Sequence, residues 1–273
     1  MIQLSLIGIG TGNPDHVTLA GVKALQAADL ILLPRKGEGK SDLVDLRRLL
    51  CRELLGREAL GRETSGRETS DRESLNGVER PRVVEFDLPE RDNSVDYLAA
   101  VDDWHAAIAD VWGELMDTWL PQGGRVAMLI WGDPSLYDSS LRIAGRLGEG
   151  GRQVEVKVVP GITSLQVLTA EHRIPLNALA EPVQITTGRR LRERGWPADA
   201  ARVAVMLDRG GAFETLPSEG IHIWWGAYLG MDKQCLIEGP LSEVGAAILQ
   251  QRAVLREQHG WIMDTYLLAR RSC

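Results

Sequence analysis

The feature that most constrains the fold of this chain is the alternation, over residues 1–180, of continuous apolar runs with segments of helical periodicity. Short continuous apolar runs are typical of strands buried on both faces of a sheet. Strands separated by helices form mostly parallel sheets with helices on their faces. The sequence therefore predicts an α/β domain with strands at 2–9, 29–33, 82–86, 125–131 and 154–159, and with helices at about 15–28, from 41 and over 94–120.

The regular alternation of apolar runs and helical segments changes after Glu181 and Pro182. Some of the apolar runs that follow are close together in the sequence, and others are far apart. Strand candidates lie at 183–187, 202–207, 221–225 and 261–268, with a helix near 241–256. Mixed spacing of this kind favours a mixed sheet. The predicted organisation is thus an N-terminal α/β domain over 1–180 and a C-terminal mixed-sheet α/β domain over 181–273.

A tandem pentapeptide interrupts the first domain at about residues 56–75. Its copies begin at Gly56, Gly61, Gly66 and Asp71, and each carries one arginine and one glutamate. The period matches neither the helical nor the strand repeat, and the copies offer little apolar surface to offset the entropy lost on ordering. We therefore expect a solvated insertion, with a functional arm as the alternative.

Composition excludes several classes of function. With a formal net charge of -7, the chain lacks the basic balance expected of a nucleic-acid binder. Cys51, Cys235 and Cys273 are far apart, so neither a disulfide framework nor a zinc site is predicted and a reducing cytoplasm fits. No apolar run approaches the roughly 20 residues that cross a bilayer, so we expect no membrane partner.

The sequence lacks the glycines that two common cofactor-binding motifs require. A dinucleotide fingerprint starting at Gly8 would need a third glycine where Asn13 stands, and a phosphate loop ending in Gly39-Lys40-Ser41 would need its first glycine at Pro34. The five histidines are scattered, and no His, Cys and carboxylate cluster has metal-ligand spacing. We therefore expect no metal.

Three polar, glycine-containing turns follow predicted strands, at 8–12, 131–137 and 159–164. Each turn alone is an ordinary signal, because Gly-Asp-Pro and Pro-Gly are common turn formers. In an open parallel sheet, however, loops at the carboxyl ends of strands converge on one crevice, which is where ligands bind. The sequence therefore predicts a ligand site built from these three loops.

The residues of these loops resemble, in order and spacing, the three signatures of the tetrapyrrole methylases, which take a methyl group from S-adenosylmethionine. The matching segments are Gly-Ile-Gly-Thr-Gly-Asn-Pro-Asp at 8–15 with 17–19 and 28–29, Gly-Asp-Pro-Ser-Leu-Tyr at 132–137, and Pro-Gly-Ile-Thr-Ser at 160–164. The resemblance covers nearly the whole chain outside the pentapeptide insertion. It implies the family's two-domain fold, with S-adenosylmethionine in the cleft between the domains, a corrinoid precursor in an adjoining trough, and a homodimer.

Further segments resemble the members of the family that act in oxygen-dependent cobalamin synthesis. They are Lys-Gly at 36–37, Asp-Asp-Trp-His at 102–105, Ile-Thr-Thr-Gly-Arg-Arg at 185–190, Trp-Gly-Ala-Tyr-Leu-Gly at 225–230 and Gly-Trp-Ile-Met-Asp-Thr-Tyr-Leu-Leu at 260–268. The resemblance implies methylation of precorrin-5 at C1 with release of acetate, and S-adenosylhomocysteine as the other product. A sibling methylase acting at another ring position and a non-catalytic corrinoid carrier are the alternatives.

Carried over by position, the family's cofactor contacts fall on Thr11, Trp131, Gly132, Asp133, Leu136, Thr163, Ser164, Met206, Gly226 and Ala227. The sequence departs from the family at Thr11, where proline is usual, and at Trp131, where a second glycine is usual. Glycine at 132 suits close approach of the cofactor. The Asp133 carboxylate suits bonds from the cofactor's ribose or ammonium group, and stabilisation of its own turn is the other interpretation.

The substrate's carboxylates require local positive charge, and the densest basic cluster of the second domain includes Arg189 and Arg190. A guanidinium fork binds a carboxylate at two points, so these arginines are candidate substrate contacts, with a solvated basic turn as the alternative. For the group that activates water during deacetylation the sequence offers four equal candidates, which are Tyr137, Asp138, His172 and Glu181.

Overall fold

The computed structural model describes residues 1–35, 41–56, 81–91, 97–149 and 151–270, and at 41–43 and 97–98 it describes the backbone alone. Apart from Gly56, the expected pentapeptide insertion lies outside the described residues. Contacts between residues divide the chain into two units, Met1–Ile162 and Thr163–Cys273.

The first unit contains a five-stranded sheet in the order β3-β2-β4-β1-β5, in which every neighbouring pair is parallel. Its strands are β1 (Ile2–Gly8), β2 (Leu30–Arg35), β3 (Arg82–Asp87), β4 (Gly124–Ile130) and β5 (Val154–Val159), and its helices are α1 (Leu19–Gln26), α2 (Ser41–Leu55), α3 (Tyr97–Trp119) and α4 (Ser140–Glu149). The predicted parallel α/β architecture is confirmed. Where one helix was expected over about 15–28, a short 3-10 turn (Pro14–His16) precedes α1, which Thr18 caps by accepting a bond from the Gly21 amide.

The side chains of the central strands point alternately to the two faces of this sheet, and both faces are covered by helices. In β1, Leu4 and Leu6 point into one apolar cluster with α3 and α4, whereas Ile7 joins a second cluster with α1 and α2. Neighbouring side chains of a strand face opposite sides, so a continuous apolar run supplies both clusters. The carboxyl ends of β1, β4 and β5 remain as the edge at which the three polar loops begin.

The second unit contains a mixed five-stranded sheet in the order β6-β7-β10-β8-β9. Its elements are α5 (Ser164–His172), β6 (Val183–Thr187), α6 (Gly188–Arg194), β7 (Arg202–Met206), β8 (Ile221–Ala227), β9 (Cys235–Pro240), α7 (Leu241–His259) and β10 (Asp264–Arg270). Strands β6 and β7 are parallel, and β10 is antiparallel to both β7 and β8. The predicted mixed sheet is confirmed, although β9 and α6 were not predicted.

The contacts place the boundary between the units before α5, earlier than the residue 180 expected from the sequence. Helix α5 packs against β8 and β10, which accounts for its place in the second unit. In the described part of the chain, no helix is long and apolar enough to cross a membrane.

Candidate active site

The loops that follow β1 and β4 are joined by a pair of backbone hydrogen bonds. The Gly132 amide donates to the Gly10 carbonyl oxygen at 2.8 Å, and the Gly10 amide donates to the Gly132 carbonyl oxygen at 3.3 Å. Both glycines have positive φ angles, of 72° at Gly10 and 67° at Gly132, a conformation that glycine adopts without the strain imposed by a Cβ atom. The predicted convergence of these two loops is therefore observed.

The loop that follows β5 packs directly against the same two loops. A Cβ atom added at Gly161 would lie 2.1 Å from the Gly132 carbonyl oxygen, and one added at Gly8 would lie 2.6 Å from the Gly161 nitrogen. These contacts leave no space for a side chain at Gly8 or Gly161. At Gly132, by contrast, an added Cβ atom would meet nothing within 4 Å. The open side of Gly132 is therefore a place where a ligand could approach the backbone closely.

Asp133 ties the second loop to the third. Its Oδ2 accepts a hydrogen bond from the Gly161 amide at 2.8 Å, and its Oδ1 accepts one from the Ser135 amide at 2.8 Å and one from the Ser135 hydroxyl. Burial alone would raise the pKa of this carboxyl, but the bonds from Ser135 and Gly161 outweigh it and hold the pKa below its ordinary value. Stabilisation of its own turn, one of the two interpretations of Asp133, is thus observed.

The remaining predicted residues of the first unit lie around these loops. Thr11 is buried, and its hydroxyl lies 3.2 Å from His16 Nδ1. Trp131 is half-buried and packs against the apolar cluster that includes Ile7 and Ile9, so its large side chain has a packing role. The Leu136 amide donates to the Asp133 carbonyl oxygen at 3.2 Å, which closes the turn between them.

Thr163 and Ser164 begin α5. Thr163 is the N-cap residue, since its hydroxyl oxygen accepts a bond from the Leu165 amide at 3.2 Å and its own amide donates to Gln166 Oε1 at 3.0 Å. This capping box satisfies backbone groups that the first turn of a helix leaves unpaired. The sequence Thr-Ser-Leu-Gln at 163–166 carries the signal for this capping box.

In the second unit, β6, β7 and β8 all end at one edge of the sheet. Strands β7 and β8 are both antiparallel to β10, and β6 is parallel to β7. The predicted residues Met206 and Ala227 are the last residues of β7 and β8, and Gly226 precedes Ala227. Gly226 also approaches α5, because a Cβ atom there would lie 3.0 Å from Leu168 Cδ1. The structure therefore brings these three residues to a common edge.

A buried carboxylate that sequence reasoning missed lies at this edge. The Asp208 side chain is 1% exposed, and it accepts bonds from the Gly210 amide at 3.1 Å, the Ala212 amide at 2.5 Å, the Tyr266 hydroxyl at 2.7 Å and the Arg192 guanidinium. Burial alone would raise the pKa of Asp208, but the bonds from Ala212 and Tyr266 outweigh it and hold that pKa below its ordinary value.

Arg252 of α7 extends this network to the start of β10. Its Nη2 donates to the Asp208 carbonyl oxygen at 2.7 Å, and its Nε donates to Asp264 Oδ2 at 2.9 Å. The same Asp264 oxygen accepts a bond from Trp225 Nε1 at 2.9 Å. Burial raises the pKa of Asp264 in spite of these opposing bonds. Asp-Arg-Gly-Gly at 208–211 is a turn composition that the sequence displays, but the partners of Asp208 could not be read from it.

The candidate substrate residues Arg189 and Arg190 lie on α6, and both are exposed. Arg189 Nε lies 3.8 Å from Glu193 Oε1 on the next turn of the helix, a weak and solvated ion pair. Arg192 of the same helix contacts Asp208 instead. Arg192 thus supports the fold, whereas the side chains of Arg189, Arg190 and Arg194 reach solvent.

The four candidates for water activation have different surroundings. Tyr137 is exposed and has a φ of 51°, and Asp138 Oδ1 accepts a bond from the Ser140 amide at 2.6 Å. His172 Nε2 lies 3.1 Å from the Trp225 carbonyl oxygen, and Glu181 is exposed. Among the described residues, no group of three or more His, Cys, Asp and Glu side chains could hold a metal ion.

Glycine-containing loops meet at the carboxyl edge of the parallel sheet, and a mixed-sheet unit follows in the sequence. The family model of the tetrapyrrole (corrin/porphyrin) methylases matches residues 3–245, and the chain belongs to this family. It is 42% identical over 270 residues to precorrin-6A synthase (deacetylating) from Sinorhizobium sp, covering 98% of this chain and 95% of that protein. Membership makes the chain a tetrapyrrole methyltransferase, as predicted.

Solved structures agree with this assignment. A cobalamin synthesis related protein (CobF) from Corynebacterium diphtheriae superposes with a TM-score of 0.78 at 35% identity, covering 100% of both chains. A uroporphyrin-III C-methyl transferase from Thermus thermophilus, complexed with S-adenyl homocysteine, superposes with a TM-score of 0.55 at 17% identity, covering 98% of this chain and 92% of that one. The second likeness extends to the fold alone.

Proposed function

We propose that this protein transfers the methyl group of S-adenosylmethionine to C1 of precorrin-5 and releases the ring acetyl group as acetate, giving precorrin-6A and S-adenosylhomocysteine. The observation that carries the proposal is the meeting of three loops at one sheet edge, with Gly132 facing open space. The 42% identity to precorrin-6A synthase (deacetylating) over nearly the whole chain supports this particular substrate.

The chemistry asks the protein for orientation. When bound, the cofactor supplies an electrophilic methyl group on a sulfonium, and the displacement requires the nucleophilic carbon, the methyl and the sulfur to lie in line. Orientation of this kind is worth roughly 7 to 11 kcal/mol. Loops fixed by the Gly10 and Gly132 backbone bonds and by the bond from Gly161 to Asp133 are suited to it, because they hold one shape before the ligand binds. Release of acetate also consumes one water molecule.

We assign the cofactor contacts to ten residues of the two units. They are Thr11, Trp131, Gly132, Asp133, Leu136, Thr163, Ser164, Met206, Gly226 and Ala227. The residues fit the cofactor in one testable respect, since the backbone at Gly132 is open to close approach. The main role of Asp133 would be to hold the two loops together through the bonds that it accepts from Gly161 and Ser135. Its carboxylate oxygens could also accept a further hydrogen bond from the cofactor.

Arg189 and Arg190 are the proposed contacts for the substrate's carboxylates. Both side chains are exposed, and the short helix that carries them is tied to the sheet edge through Arg192 and Asp208. A ring bearing carboxylates needs local positive charge on a protein of net charge -7, and two adjacent guanidinium groups supply it.

The proposal is tested by incubating the protein with S-adenosylmethionine and precorrin-5 and measuring the mass of the pigment. Gain of a methyl group together with loss of an acetyl group is expected. Gain of a methyl group alone would favour a sibling methylase acting at another ring position. Binding of precorrin-5 without any change in its mass would favour a corrinoid carrier.

We propose further that the protein works as a homodimer in the cytoplasm. The family resemblance supports the dimer, and the free thiols of Cys51 and Cys235 are in keeping with a reducing compartment. Sedimentation equilibrium tests the first statement, with twice the mass of one chain as the expected result and a single chain as the contradicting one.

A further inference from the structure

Leu207, the residue that follows β7, is both strained and exposed. Its φ is 52°, in the left-handed region that a residue with a Cβ atom rarely adopts, and its exposed fraction is 62%. A strained backbone persists only where its surroundings enforce it, and such positions cluster at binding sites. A large apolar side chain held out to solvent at the same position gives no packing in return.

The neighbouring Asp208 enforces this conformation. Its carboxylate accepts bonds from the amides of Gly210 and Ala212, which follow it in the chain. It also accepts bonds from Tyr266 on β10 and from Arg192 on α6. Leu207 lies between this buried anchor and Met206, whose strand is paired with β6. Because both flanking residues are fixed, the backbone of Leu207 has little freedom to relax.

The surroundings of Leu207 combine apolar surface with positive charge. Met206 is half-buried at the same edge and pairs with Thr187, the residue that caps α6. A Cβ atom at Gly188, the first residue of that helix, would lie 2.3 Å from Asp208 Oδ1. Gly188 therefore lies directly against the Asp208 side chain, and Arg189 and Arg190 are the next two residues of the chain. The edge suits a ligand with a flat apolar ring and carboxylates at its rim.

We propose that Leu207 packs against the apolar ring of the tetrapyrrole substrate, and that Asp208 is the positioning residue that holds it there. The identity of this ring rests on the proposed function above. In this arrangement the arginines bind the rim of the ring while Leu207 contacts its face. The strain at Leu207 is maintained in the free protein so that the contact surface is formed before the substrate arrives.

The direct test is Leu207→Gly, which removes the side chain and permits the same backbone conformation. We expect the Kd of precorrin-5, measured by quenching of tryptophan fluorescence, and its KM to rise about tenfold, the factor expected for part of a leucine side chain leaving an apolar contact. The affinity for S-adenosylhomocysteine and kcat should stay unchanged, and the melting temperature should stay equal or rise, because glycine relieves the strain. The matched control is Leu179→Gly, at a leucine that is 97% exposed, and it should alter none of these quantities.

The role of Asp208 is tested through its partner, since replacing Asp208 itself endangers the fold. Tyr266→Phe removes one of the donors to Asp208 and keeps the aromatic ring that packs against Phe213. We expect a smaller rise in the KM of precorrin-5 with kcat unchanged. Combined with Leu207→Gly it should add less than its separate effect, since both changes act on one contact. A role confined to stability would lower the melting temperature and leave KM alone.

Three outcomes separate this inference from the proposed function. An unchanged Kd of precorrin-5 in Leu207→Gly would overturn the inference. A loss of affinity for S-adenosylhomocysteine instead would overturn it too, since Leu207 would then contact the cofactor. Wild-type protein that binds precorrin-5 but transfers no methyl group would reject the proposed function while the comparison of Kd values still decides the role of Leu207.

Discussion

Glycines at the candidate site have two different reasons to be glycine. Gly8 and Gly161 are crowded by the neighbouring loops, whereas Gly132 has a positive φ and open space beside it. Gly8 and Gly161 serve the packing of the loops, whereas a Cβ atom at Gly132 would meet no protein atom within 4 Å, which is why we propose Gly132 as a cofactor contact. The sequence predicted a role for Gly132 from its motif, but it could not distinguish crowding from openness.

Gly132→Ala tests the cofactor assignment, with Gly220→Ala as its control. Gly220 precedes β8, has a φ of 73° beside the 67° of Gly132, and likewise has no atom within 4 Å of an added Cβ. Both variants should lose about 1 to 2 kcal/mol of unfolding free energy, the cost of a left-handed residue. Only Gly132→Ala should lose affinity for S-adenosylhomocysteine in titration calorimetry. Equal affinities in the two variants would remove Gly132 from the cofactor site.

His105 of α3 should titrate below its ordinary range. Its side chain is buried, and the pKa of the imidazole is lowered by burial first and then by the charges of Arg146 and Arg142, against smaller opposing effects of Asp102 and Asp138. Because the folded protein then binds fewer protons than the unfolded chain, stability should fall as the pH falls below about 6.5 and towards the lowered pKa. An NMR titration with the signal assigned through His105→Gln measures it. A midpoint at or above about 6.5 would show that burial and the two arginines do not lower the pKa of His105.

Helices and strands are predicted correctly from the sequence where the local pattern of apolar residues is strong. Strands β1, β4 and β5 are continuous apolar runs, and the sequence predicted each within about two residues. Strand β9 was missed because its short run ends in Gly239 and Pro240, which are ordinary strand breakers. Helix α6 was missed because Leu191 is the one apolar residue among its arginines and glutamate, so its periodicity is invisible.

Helix α6 carries the prediction about the substrate. Arg189→Ala and Arg190→Ala should each raise the KM of precorrin-5 several-fold and leave the affinity for S-adenosylhomocysteine unchanged, because each variant lacks one of the guanidinium groups that we propose bind the substrate's carboxylates. Added salt should weaken substrate binding in the wild type, since exposed charges are screened. Arg194→Ala, at the last residue of the same helix, is the control. Wild-type kinetics in both variants at low salt would place the carboxylates elsewhere.

The polar network behind the second sheet edge lies beyond what local patterns can predict. Arg192 and Tyr266 are 16 and 58 residues from Asp208 along the chain, and Arg252 is 44 residues away. The pairing appears only when the strands are placed in their order β6-β7-β10-β8-β9. A mixed sheet could be predicted from irregular spacing, but its order could not.

At the scale of the whole molecule, the sequence predicted two units with one parallel and one mixed sheet, and the structure confirms both sheets. The contacts assign α5 to the second unit, although its sequence continues the strand and helix rhythm of the first. The alternation of strands and helices gives only their order in the sequence. The boundary between the units depends instead on which sheet a helix packs against. Family membership adds the reaction, which neither rhythm nor packing could supply.

If one protein couples methyl transfer to release of acetate, the two products must form in equal amounts. Wild-type protein is incubated with S-adenosylmethionine labelled in its methyl group and with precorrin-5, and labelled pigment and free acetate are measured over the same time course. We expect acetate and labelled pigment to appear together and in equal amounts. Labelled pigment that forms without acetate would show that the protein does not release the acetyl group.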